Sequence, residues 1–105
     1  LKRRADEVGT QVFLIIQHGL GRVAKRDAAP AHGSQVVDCV RAMGIRALDT
    51  WEHYQKVKRV RGVKGLQEFT VMHQNNTVYG HCSPEGNRFV AELIRVNLLP
   101  KEFRR

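Results

Sequence analysis

The segment 12–16, Val-Phe-Leu-Ile-Ile, is the longest purely apolar run in the chain, and it does not alternate with polar residues. A short continuous run of strand formers predicts a strand buried on both faces, as in a parallel sheet. Before it, Leu1, Ala5 and Val8 share one helical face, and Gly9 is placed to close that helix. After it, Gln17, His18 and Gly19 enter a segment reaching about Gly33, punctuated by Gly19, Gly21 and Pro30 and made basic by Arg22, Lys25 and Arg26. This reads as a long loop, and a loop at the carboxyl end of a parallel strand is a place for function. Ser34 is a candidate cap for a helix carrying Val36, Val37, Val40 and Met43, ended by Gly44. Ile45 to Leu48 forms a second strand, which a crossover connection sets parallel to the first. Thr50 is a candidate cap for a helix starting at Trp51, with Tyr54, Val57 and Val60 spaced by three; Gly62 and Gly65 break it. Thr70 to Met72 is a short strand or an extended link, and Asn75-Asn76 marks a turn.

The clearest element is the last. Ser83 suits the helix N-cap, Pro84 the first helical position, and Glu85 the first turn, where its charge complements the helix dipole. Gly86 costs about 1 kcal/mol against alanine in a helix, which points to close backbone packing or to tolerance near the end. Phe89, Val90, Leu93, Ile94 and Val96 then trace an apolar stripe, with Arg88, Glu92 and Arg95 turned outward and Pro100 beyond. A helix from about Pro84 to Leu98 follows, and its start fixes His81 in a tight loop just before it.

The 105 residues suit one small domain, whose size permits only a thin core. Two strands leave outer edges that need partners, so the chain reads as a single small α/β domain or as the C-terminal fragment of a larger one, completed by missing sequence or self-association. No segment approaches the ~20 apolar residues of a membrane span, and nothing resembles a signal peptide. The compartment is left open. Cys39 and Cys82 do not make a disulfide framework; Cys39 reads as a small core residue within a helix.

The net charge is +8. Lys56, Lys58, Arg59, Arg61 and Lys64 form a cluster with no acidic residue between His53 and Gln67. Such a cluster suits an anionic partner, polysaccharide or nucleic acid, or else a solvated helix face. No aromatic platform interleaves with it, which argues against single-stranded nucleic acid. The five histidines and two cysteines show no metal-ligand spacing, and no cofactor is implied.

The stretch His81-Cys82-Ser83-Pro84-Glu85-Gly86-Asn87-Arg88-Phe89-Val90-Ala91-Glu92-Leu93-Ile94 resembles the closing block of the SGNH (GDSL-type) esterases and O-acetyltransferases, over roughly residues 79–96. The resemblance implies a parallel sheet with flanking helices, like the C-terminal portion of a flavodoxin-like SGNH domain. It also implies that His81 acts as general base toward a serine, with an acyl ester or carbohydrate as substrate. A histidine can serve so because its ordinary pKa lies near neutrality. The chain departs from the pattern in two ways. Val78 stands where the family carries the aspartate that orients the histidine, leaving a backbone carbonyl, Asn76 or Asp49 for that task. The Gly-Asp-Ser nucleophile block and the oxyanion-hole blocks have no counterpart, and Ser34 and Ser83 both read as helix caps. The expectation is therefore a chain that supplies the catalytic histidine and is inactive alone. The competing reading is a non-catalytic basic binding module.

Overall fold

A computed structural model of the chain describes residues 2–9 and 11–99. Leu1 and Pro100, both used in the sequence reading, lie outside them. The elements run α1 (Lys2–Glu7), β1 (Phe13–Ile16), α2 (Leu20–Lys25), α3 (Ala31–Ala42), β2 (Arg46–Asp49), α4 (Trp51–Gln67), β3 (Thr70–His73), β4 (Val78–Cys82) and α5 (Pro84–Asn97). The class is mixed α/β with a small parallel sheet and helices.

β1 and β2 pair in parallel, from Phe13↔Arg46 to Ile16↔Asp49, as the strand–helix–strand order requires. Among the described residues no third strand joins this sheet. That explains why β1 is not buried on both faces: Ile15 remains 37% exposed, because there is no neighbouring layer to cover it. β3 and β4 form a separate antiparallel hairpin. Its turn sets Gln74, Asn75 and Asn76 at positive φ, a region where asparagine is enriched among residues other than glycine.

The core lies on the α2–α4 side. Leu20, Val23, Trp51, Tyr54, Leu66 and Phe69 are buried together, with Ala24, Val57, Tyr79, Phe89 and Val90 packed against them. The Phe69 and Phe89 rings stack at 4.6 Å, and Phe89 stacks on Tyr54 at 5.3 Å. Aromatic pairs at these separations add to the effect of burial alone. This cluster ties the hairpin and α5 to α4.

Several local expectations change. The basic segment after β1 is not a long loop: Leu20, Val23 and Ala24, spaced by three and four, turn it into α2. α3 begins at Ala31 with Pro30 at its N-cap, so Ser34 lies inside the helix and does not cap it. Cys39 is exposed, because Val37 on the other side of α3 takes the buried position. Val60 is 76% exposed and does not join the core. Gly62 breaks α4 as expected, with φ 72, a left-handed conformation open to glycine. The chain resumes as helix and buries Leu66.

Candidate functional site

The carboxyl end of β1 meets the hairpin in a cleft of about 250 Å³ lined by Gln17, His18, Gly19, Leu20, Thr70, Gly80, His81 and Cys82. His81 therefore shares a site with the residues that follow β1. It stands not in a loop but in β4. Thr70 pairs with Cys82 and Met72 with Tyr79, so β4 spends one more residue than β3 over the same length. Gly80 and His81 together oppose Val71, which is a β-bulge, a device that re-aims side chains. The Thr70 hydroxyl lies 2.9 Å from the Gly80 carbonyl oxygen and 3.0 Å from that of His81, so both carbonyls turn toward one donor. Gly80 is required there by contact: a Cβ would stand 2.6 Å from the Val71 carbonyl oxygen.

α5 anchors the other end of this segment. Ser83 caps it as expected, accepting from the Gly86 N–H at 3.1 Å, while its own hydroxyl donates to the Glu68 carbonyl at 2.6 Å. The Ser83 oxygen is thus buried and committed on both sides, and it is no nucleophile. Ser34 is exposed on α3 and does not line the cleft. His81 itself is exposed, and its ring has no hydrogen-bond partner among the described residues. Val78 lies three residues back along an extended strand, roughly 10 Å away, so a carboxylate at that position is poorly placed to orient the His81 ring. Asn76 sits in the hairpin turn.

Asp49 is engaged elsewhere. Its Oδ1 lies 2.7 Å from His18 Nε2 and accepts from the Trp51 N–H at 2.9 Å. The His18 ring meets Trp51 edge-on at 5.0 Å. Thr50, which precedes α4, does not cap that helix through its side chain. Its hydroxyl donates to the Ile16 carbonyl at 2.9 Å and lies 3.3 Å from the His18 N–H, which it accepts. The ends of the two parallel strands are thereby stapled together, and the carboxylate takes over the capping of Trp51. Gln17 donates to the Tyr54 hydroxyl at 2.7 Å. Burial pushes the Tyr54 phenol above its usual 10.0, against the lowering effect of that hydrogen bond.

The His18–Asp49 pair went unrecognised in the sequence, although its signal is present. Two adjacent parallel strands bring the residues at their carboxyl ends side by side, and Ile16 is in register with Asp49. No family model, curated protein or solved structure matches this chain. The site must be read from its own geometry.

The basic cluster is divided among several tasks. Lys58 donates to the Val23 and Arg26 carbonyls at 2.9 and 3.1 Å and to Asp27 at 2.9 Å, closing the end of α2. Its ammonium holds the Asp27 carboxyl below the usual 3.8. Arg61 pairs with Glu68 and lies 6.0 Å from the centre of the Phe69 ring. Lys56, Arg59 and Lys64 remain exposed, and the break at Gly62 separates Lys64 from the other two. Among the described residues no three histidine, cysteine or acidic side chains gather as a metal site, and no helix is long and apolar enough to cross a membrane.

Proposed function

We propose that this chain is the C-terminal part of an SGNH-like ester hydrolase or O-acetyltransferase and supplies His81 as the general base of its site. The observation that carries the reading is the position of His81. It lies two residues before the N-cap of α5 and lines the cleft at the carboxyl end of β1, where a flavodoxin-like parallel sheet holds its chemistry. In the complete site a serine attacks the acyl carbonyl while His81 accepts the serine proton, then returns a proton to the departing alcohol. The serine and the oxyanion donors come from sequence outside this chain, since Ser83 is committed to α5 and Ser34 does not line the cleft. Among the described residues both outer edges of the β1–β2 sheet are open, which is consistent with further strands supplied from there.

The test is reaction of the complete gene product with a fluorophosphonate, which phosphonylates activated serines. Labelling of a serine within a Gly-Asp-Ser block, lost on His81→Ala, is the expected result. Labelling absent, or indifferent to His81, overturns the reading. The binding alternative is disfavoured because Lys58 and Arg61 already hold internal partners.

A further inference from the structure

His18 is buried, yet one of its ring nitrogens is left for a ligand. Its side chain is only 8% exposed, with Nε2 against Asp49. Asp49 Oδ1 also accepts from the Trp51 N–H, so it is an acceptor toward both groups. Nε2 therefore carries the ring proton, and Nδ1 of the neutral ring carries the lone pair. No described residue donates to Nδ1. No buried side-chain nitrogen or oxygen among the described residues lacks a partner, so Nδ1 is reached by solvent, and His18 is one of the residues that line the cleft. The ring is fixed from several sides. Trp51 meets it edge-on, and Gly33 of α3 fits so closely that a Cβ there would stand 3.3 Å from Asp49 Oδ2 and 3.5 Å from His18 Cε1.

Of the two imidazoles in the cleft, only His18 has, among the described residues, a carboxylate to orient it and to stabilise its protonated form. We propose that His18, held by Asp49, is a second proton acceptor of this site and serves the hydroxyl that receives the acyl group, either water or an alcohol. The step rests on the ester-transfer reading above and has the acyl ester of the serine as its donor. The acceptor O–H bond breaks and its proton goes to Nδ1. The oxygen forms a bond to the ester carbonyl carbon. The bond from that carbon to the serine oxygen breaks, and the proton returns from Nδ1 to the serine oxygen. No oxidant, reductant or metal enters the balance.

Two measurements test this. The first needs no turnover: long-range proton–nitrogen NMR of the histidine rings in the 105-residue chain. The expected neutral form of His18 has the proton on Nε2, and Asp49→Asn releases it into a mixture of tautomers. A proton on Nδ1 in the unsubstituted chain overturns the proposal.

The second follows a chromogenic acetate ester with the complete gene product. Asp49→Asn, which keeps the side-chain shape, and His18→Asn should both keep the first-turnover burst of coloured alcohol. Steady turnover should fall ~10²–10⁴-fold, the usual contribution of a general base. Hydroxylamine, which attacks without prior loss of a proton, should restore turnover in both variants. His81→Ala should instead remove the burst. A burst that survives His81→Ala defeats the role given to His81 and leaves that of His18 standing. Unchanged steady turnover in Asp49→Asn and His18→Asn overturns the present proposal alone.

Discussion

Gly86 of α5 lies so close to Phe69 that a Cβ built on it would stand 2.0 Å from the Phe69 carbonyl oxygen. That oxygen also accepts from the Ser83 N–H at 3.0 Å, so the start of α5 and the turn after α4 share one crowded backbone contact. The glycine that weakens the helix locally is what lets it dock. Gly86→Ala gains at most about 1 kcal/mol of helix propensity. It forces backbone apart in a packed core, which costs typically 1–3 kcal/mol. We predict net destabilisation, read as a lower denaturant midpoint; a raised midpoint would contradict the contact.

Ser83 is the second half of that joint. Ser83→Ala removes the cap on Gly86 and leaves the Glu68 carbonyl without its donor. A loss of about 1–2 kcal/mol is expected, the upper part of the range for N-cap serines. Ser83→Asp restores the cap but cannot donate to Glu68, so urea unfolding should place it between the alanine variant and the unsubstituted chain.

Much of this was legible in the sequence. Ser83, Pro84 and the stripe from Phe89 are local signals, and α5 follows from them. The apolar run before Gln17, together with the short run ending at Leu48, predicts two parallel strands, and β1 and β2 are that pair. Gly62 interrupts the helix at the expected place, whereas Gly65 lies inside the resumed helix and does not break it. What was not legible depends on contacts far apart in the chain. α2 was hidden because Gly19, Gly21 and three basic residues resemble a loop, and its helix is held by Val23 and Leu20 packing on α4. The bulge at Gly80–His81 has no local signature; it is set by pairing with Thr70. The sequence offers Asp49 as a partner for His81, but the register of the parallel strands gives it to His18.

Tyr54 makes a prediction at alkaline pH. Its phenol titrates above the usual 10.0 because it is buried. The folded state therefore holds this proton more tightly than the unfolded chain. Its stabilising effect is complete below pH 10.0 and is lost as the pH rises from there through the higher folded value. Tyr54→Phe should flatten the fall in stability in that window, measured by urea unfolding at several pH values. An unchanged slope would show that another group controls it.

Lys58 separates the structural from the binding role of the basic cluster. Lys58→Met takes a donor from the Val23 and Arg26 carbonyls and should cost about 1–2 kcal/mol. Lys56→Gln, Arg59→Gln and Lys64→Gln should each stay within about 0.5 kcal/mol, as exposed substitutions usually do. On a sulfated polysaccharide column the order should reverse. The three exposed changes combined should lower the salt needed for elution, and Lys58→Met should lower it less. If Lys58→Met weakens retention without affecting stability, its role at the end of α2 is wrong.

The most direct test of the proposed function is ester turnover by the complete gene product with His81→Ala. His81 is exposed at a bulge and its ring holds no partner among the described residues, so the variant should unfold at the same denaturant concentration as the unsubstituted protein. Turnover should fall ~10²–10⁴-fold. Full turnover with alanine at position 81 would contradict the assignment and leave His81 as part of the entry to α5.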